Sequence, residues 1–205
     1  MSVALKWQAL GAPRLHIVDL DGARSGQLAN YEVIKNIAQA VSVPVQVGGG
    51  IRQLSMVEKL LKSEVDRVIL GTSAVENPEM VVEAVKRFGT SIAVGIDARD
   101  GYISTRGWRQ DTAHKALDFA QSIIKLGVKR LIYTDINRDG TLTEPNFSAI
   151  FELIDSVRVP VVASGGISVL NHLKILKRLG AEGAIIGKAL YTQDINLKQA
   201  VEQLS

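Results

Sequence analysis

The chain repeats itself. When it is laid over itself at an offset of 116 positions, Leu10-Gly11 falls on Leu126-Gly127, Arg14-Leu15 on Arg130-Leu131, Asp19 on Asp135, Asn30 on Asn146 and Ile34 on Ile150. Further along, Val43-Pro44-Val45 meets Val159-Pro160-Val161, Gly49-Gly50-Ile51 meets Gly165-Gly166-Ile167, Leu54 meets Leu170, and Gly71 meets Gly187. A repeat of this length with a register that does not slip is the mark of two copies of one structural half. One stretch has no copy. The unit around Ser91 to Trp108 would have its counterpart upstream of Met1, so the repeat predicts a first half that lacks its first strand.

Each half is written in the same grammar. Short apolar, β-branched runs near Leu15 to Asp19, Val43 to Val47, Arg67 to Leu70, Ser91 to Ile96, Arg130 to Thr134, Val159 to Ala163 and Ala184 to Ile186 read as seven strands, most of them followed directly by Gly or Asp. Helical stretches lie between them. In Asn77 to Phe88, Asn77 suits the cap, Pro78 the first turn, and Met80, Val81, Ala84, Val85 and Phe88 form one apolar stripe. Near-continuous apolar strands joined by such helices give a parallel sheet covered by helices. The two-half repeat favours a closed (βα)8 barrel of two four-unit halves over an open sheet. The predicted fold is thus α/β, of the TIM (βα)8-barrel family, reduced to about seven parallel strands. Residues 1–205 form a single incomplete barrel domain.

Composition narrows the function. A formal net charge of +3 with 24 Lys and Arg scattered among 21 acids leaves no footprint for nucleic acid. There are no cysteines, which excludes a disulfide framework and a thiol nucleophile and suits a reducing, cytoplasmic setting. No apolar run approaches the roughly 20 residues of a membrane span, and no signal peptide is apparent. His16, His114 and His172 lack metal-ligand spacing, and Gly48-Gly49-Gly50 lacks dinucleotide spacing, so neither metal nor cofactor is predicted.

Glycine clusters at strand ends are the first candidate site. Gly49 and Gly50 with Gly71 and Thr72, and their repeats Gly165 and Gly166 with Gly187 and Lys188, let backbone N–H groups approach a phosphate. A lone turn glycine would carry no such meaning, but two matched pairs suit a ligand with a phosphate at each end. Carboxylates are the second: Asp19, Asp21, Asp97, Asp135 and Asp139 all fall at or beyond strand ends, where barrel sites lie. Asp97, after Val94-Gly95-Ile96, points into the mouth and suits a general acid or base, with loop capping as the competing role for any one of the five. Thr134 and Asp139 suit the positioning of substrate hydroxyls. Arg106-Gly107-Trp108 pairs a cation with a stacking surface, to close over a ligand ring if exposed or to anchor packing if buried.

These motifs together resemble the phosphoribosyl isomerase family of histidine biosynthesis. The resemblance runs over essentially all 205 residues. It is carried by Leu15 to Ala23, Val47 to Arg52, Gly95-Ile96-Asp97, Gly107-Trp108, Thr134-Asp135-Ile136 with Asp139-Gly140-Thr141, and Ser164 to Ile167. The related cyclase of that pathway shares the barrel and phosphate sites but fits Gly107-Trp108 and the Asp19 segment less well. Arg106-Gly107-Trp108 also resembles the variant that serves tryptophan synthesis.

The resemblance implies an Amadori rearrangement of an aminoaldose to an aminoketose on a bis-phosphorylated ribotide. In it Asp97 is the acid, Thr134 and Asp139 assist at the ring, and Arg106 and Trp108 hold the substrate. Asp19, Gly49, Gly50, Arg52, Gly71, Thr72, Gly165, Gly166, Gly187 and Lys188 bind it and its phosphates. The base belongs to the family's first strand, so this chain alone is predicted to be inactive or strongly impaired. The alternative is a non-catalytic phosphosugar-binding or self-assembling barrel fragment. Unpaired edges at Leu15 to Asp19 and Ala184 to Ile186 predict a homodimer by edge pairing or exchange, with closure to seven strands or rearrangement of the neighbouring helices as the alternatives.

Overall fold

The computed structural model describes residues 1–204, grouped in two compact units. The first comprises Met1–Val94 with Leu126–Val128, the second Gly95–Lys125 with Lys129–Ser205.

In the first unit a helix, Ser2–Ala9, leads into strand β1 (Leu15–Val18), and β2 (Val45–Gly48) and β3 (Arg67–Leu70) follow through helices Tyr31–Ala40 and Leu54–Leu61. The three strands pair in parallel with β4 (Ile92–Arg99), in the order β1-β2-β3-β4. Every residue of β2 and β3 is buried, as parallel strands covered by helices require. Val47, Val57, Leu60, Val68, Leu70, Val81 and Ile92 are fully enclosed, each contributing about 1.5–3 kcal/mol of burial. Helix Pro78–Phe88 starts as its sequence dictates. Asn77 Oδ1 accepts from Met80 N at 3.1 Å, and Met80, Val81 and Ala84 of the apolar stripe are buried.

The second unit takes β4 from Gly95 onward and repeats the plan. Here β4, β7 (Leu131–Asp135), β8 (Val161–Ser164) and β9 (Gly183–Ile185) run in parallel, with helices Ala116–Lys125, Phe147–Ser156 and Leu170–Arg178 between them. Ile96, Ile123, Leu131, Ile150, Ala163 and Leu176 form its core. The seven runs read from the sequence fall on the seven parallel strands, with small displacements at their ends, and the architecture is the βα grammar of the TIM-barrel family. Among the described strands β1 pairs with β2 and β9 with β8, each standing at one end of the strand order.

One region departs from the sequence reading. The stretch after Asp97, read as a loop, holds an antiparallel hairpin: β4 runs on to Arg99, turns, and pairs with β5 (Tyr102–Thr105), which pairs with β6 (Gln110–Lys115). The physical cause is local. Asp100 and Gly101 take φ of 52° and 82°, the two-residue turn in which Asp-Gly excels because its twist matches that of the flanking strands. Polar β6 carries no apolar alternation, which hides it from a periodicity search.

Candidate functional site

Asp97 sits near the C-terminal end of β4, between buried Ile96 and Ala98, which face the other side of the strand. The hairpin returns over it. Trp108 Nε1 donates to Asp97 Oδ2 at 2.8 Å, although Trp108 stays 39% exposed. Both roles offered for this tryptophan are therefore refined: it is neither free at the surface nor buried as packing. Arg106, Gly107 and Trp108 take φ of 55°, 66° and 67° in succession. For the two residues with a Cβ this left-handed geometry costs about 1–2 kcal/mol each. The hairpin offsets that cost through its own bonds. Arg109 N donates to Thr105 O at 3.1 Å, and Arg99 Nη1 donates to both oxygens of Asp111, at 3.1 and 2.9 Å.

The carboxyl of Asp97 is pushed above the ordinary carboxylate range, chiefly by burial. Hydrogen bonds from Trp108 and from Thr134, itself buried in β7, pull the other way, and the charge of Asp139 adds to the rise. Asp139, in the loop after β7, is also raised by burial. A carboxyl raised by burial and by a neighbouring acid holds its proton to higher pH than an ordinary one, the direction a general acid needs.

The same unit carries an open depression among Asp139, Gly140, Gly165, Gly166, Gly187 and Lys188. Lys188 Nζ donates to Gly140 O at 2.9 Å, which holds a cation at the rim. At Gly165, φ is 92° and a Cβ would stand 2.6 Å from the carbonyl oxygen of Asp135, so only glycine lets the two strand ends meet.

In the first unit Gly49 stands in the same place, with φ of 102° and the carbonyl oxygen of Asp19 where its Cβ would be. Gly71 and Thr72 follow β3 at the head of a short helix, Thr72–Glu76. Arg52 lies against Gly26, and its buried Nε has no hydrogen-bond partner among the described residues.

Asp19, also expected to bind the substrate, is engaged by its own loop. Only 2% exposed, it accepts from Gly22 N at 2.9 Å, Asn30 N at 3.0 Å and Asn30 Nδ2 at 2.7 Å. Burial opposes its ionisation, but these donors together with Ala29 N–H hold the carboxyl below its ordinary range. Its carboxylate caps its own loop.

Sequence reasoning missed a polar line across the first unit. In register on β1, β2 and β3, Arg67 Nη1 donates to Gln46 Oε1 at 2.9 Å and Gln46 Nε2 lies 3.0 Å from His16 Nδ1. Burial lowers the His16 pKa to about 4, so the ring is neutral. It also missed the Arg99–Asp111 pair and the turn that creates it, for which Asp100-Gly101 was the available signal. No three His, Asp or Glu side chains gather as a metal ion would require among the described residues. No described helix is long and apolar enough to cross a membrane.

A profile of the family described as histidine biosynthesis protein matches residues 1–196. A relative from Dehalococcoides mccartyi (strain CBDB1) is 60% identical over 205 residues, covering 100% of this chain and 84% of its own length. Relatives from Synechocystis and Ruminiclostridium cellulolyticum are 51% and 50% identical, each over 98% of this chain and over 80% and 85% of their own lengths. All three are named as an imidazole-4-carboxamide isomerase whose full name carries two 5-phosphoribosyl groups. With the family profile spanning nearly its whole length, and relatives of 50–60% identity over 98–100% of it, the chain belongs to the histidine biosynthesis protein family.

Proposed function

We propose that this chain carries the machinery of an aldose–ketose isomerase acting on a ribotide with two phosphates. The observation that supports this most directly is Asp97: a carboxyl raised by burial, held by Trp108 and Thr134 and backed by the charge of Asp139. Asp97 gives a proton to the ring oxygen of the aminoaldose. The C–O bond of the ring breaks toward that oxygen, and the anomeric nitrogen supplies the electron pair that makes an iminium. A base then removes the C2 proton, and the enolamine so formed tautomerises to the aminoketose. Nothing is oxidised or reduced overall, because hydrogen only moves from C2 to C1 within one molecule.

Thr134, fixed on β7, keeps the acid oriented. The exposed face of Trp108 offers a stacking surface for the ligand's flat groups. The depression beside Gly165, Gly166, Gly187 and Lys188 takes a phosphate, and Gly49, Gly50, Arg52, Gly71 and Thr72 form its counterpart in the first half. Each cradle suits a phosphate of the kind that the phosphoribosyl groups in the relatives' names carry.

Loss of one acid–base partner costs about 10² to 10⁴ in rate. The test is conversion of the relatives' named substrate by the purified chain and by Asp97→Asn. Turnover by the chain that falls by about 10² to 10⁴ in the variant is the expected result. Turnover unchanged in Asp97→Asn removes Asp97 as the acid.

A further inference from the structure

Three polar side chains lie in register across the first unit, and the mechanism uses none of them: His16 on β1, Gln46 on β2 and Arg67 on β3. Their bonds can run in one direction only. A guanidinium has donors and no acceptor, so the Gln46 atom 2.9 Å from Arg67 Nη1 is Oε1. That turns the amide nitrogen toward His16, 3.0 Å from Nδ1, and an amide N–H₂ only donates. Nδ1 must therefore accept, which leaves the ring's one proton on Nε2. Burial acts in the same sense, holding the ring neutral with a pKa of about 4. Nε2 bonds to no described residue and is not among the enclosed atoms left without a partner, so it opens to solvent. The repeat sets the face on which it opens. His16 and Val18 correspond to Ile132 and Thr134, and Thr134 is the residue that bonds Asp97 in the second unit. Val18, on the same face of β1 as His16, is 45% exposed.

We propose that Arg67 and Gln46 are positioning residues that lock His16 as the Nε2–H tautomer, and that this N–H donates to a sugar hydroxyl oxygen of the bound ligand. The inference rests on the reading of the first half as one end of a site for a ribotide with two phosphates. Depth decides for sugar over phosphate. Gly49, Gly50 and Thr72 lie beyond the strand ends, whereas His16 stands inside β1, before Asp19. A neutral donor suits a hydroxyl, because it offers one directed hydrogen bond and brings no charge that the enclosed face would have to desolvate. A charged ring would break the line. Its N–H at Nδ1 would meet the Gln46 amide N–H₂, and a flipped amide would turn that N–H₂ on Arg67. No carboxylate faces the ring to favour its charged form, burial being the cause that moves its pKa.

The experiment is nitrogen-15 NMR on histidine-labelled protein, with the His16 signals assigned by their loss in His16→Gln. In the unaltered chain Nδ1 should resonate as a ring nitrogen without a proton and Nε2 as one that carries it; shifts averaged between the two forms overturn the lock. In Gln46→Glu the carboxylate accepts from Arg67 and from the ring alike, so the His16 pKa should rise from about 4 to above 6.5 and Nδ1 should gain a proton. An unmoved His16 pKa there overturns the part given to Gln46. The ligand contact is read in the unaltered chain, with binding followed by the phosphorus-31 signal of the probe. Saturating D-ribose 5-phosphate should move the Nε2 signal, and saturating inorganic phosphate should leave it in place. A signal that moves equally with inorganic phosphate makes the acceptor a phosphate oxygen and overturns the hydroxyl assignment. A signal unmoved by bound D-ribose 5-phosphate overturns the contact while leaving the phosphate cradles standing. A probe whose phosphorus-31 signal shows no binding overturns cradles and contact together, so the two failures are told apart.

Discussion

The two halves of this chain began as one pattern and now use it differently. Asp19 and Asp135 occupy equivalent positions, each accepting from an Asn in the loop beyond: Asn30 Nδ2 at 2.7 Å and Asn146 Nδ2 at 2.7 Å. Arg14 pairs with Asp66 as Arg130 pairs with Glu182, again at the same offset. The loops then part company. In the first half Asp21 draws Asn30 Nδ2 to itself at 3.0 Å, and Asn30 makes no side-chain cap for its helix. In the second half the position of Asp21 is Asn137, whose amide reaches Asp100 in the hairpin turn at 2.9 Å, while Asn146 Oδ1 is free to cap Ala149 N at 3.2 Å. One change from Asp to Asn ties the loop that carries Asp139 to the hairpin that carries Trp108. Structural duplication conserves the carboxylate that holds a loop, and chemistry enters where a loop gains a new partner.

The likeness of the halves breaks first at the carboxylates. Asp97→Asn should lower turnover by about 10² to 10⁴ without lowering the melting temperature. The sign follows from linkage: a raised pKa means that the folded state binds more protons than the unfolded one, so Asp97 withdraws stability as pH rises and an amide there relieves it. Asp19→Asn should do the reverse, costing about 1–3 kcal/mol at neutral pH through donors left facing an amide, because its lowered pKa supplies stability that is lost as pH falls. Thermal melts of the two variants beside the turnover assay decide the matter. If both lose stability alike, the division of labour between the halves is wrong.

Gly49→Ala and Gly165→Ala sharpen the likeness. Each puts a Cβ into the neighbouring strand end's carbonyl at positive φ, so both should cost about 3 kcal/mol or more in chemical denaturation. A large difference between them would mean that the repeat is closer in sequence than in packing. Acid sensitivity separates the halves again. His16, neutral in the fold with a pKa of about 4, must charge on unfolding, so stability should fall as pH drops from about 6.5 toward 4, by on the order of 3 kcal/mol. Its repeat position, Ile132, does not titrate. Hydrogen exchange at pH 5 should therefore open β1 to β3 before β7 and β8. The smallest effect is at the surface: Arg130→Met and Arg14→Met should each cost no more than about 1 kcal/mol, weakening with salt, in equilibrium unfolding.

Much of this architecture is legible in the amino-acid sequence. The constant offset identifies both glycine pairs and their strands, because the steric demand at Gly49 and Gly165 admits no other residue and so writes itself into both copies. Asn77-Pro78 announces a helix start because a cap and a first-turn proline act on adjacent backbone. β5 and β6 are not legible. Their register depends on the Asp100-Gly101 turn and on pairing with β4, and β6 buries too little to show a pattern. The competing uses of the five strand-end aspartates cannot be separated by pattern either. Asp19 and Asp97 differ only in what the chain brings back to them: Gly22 and Asn30 to the first, Trp108 and Thr134 to the second.

Sequence by itself determined the repeat, the parallel βα plan and the places where backbone must approach backbone, since these follow from local sterics and from the period of apolar residues. Tertiary structure alone decided which carboxylate is satisfied by donors and which is left proton-hungry. That choice is electrostatic, set by burial and by partners from distant segments, and no local pattern encodes it.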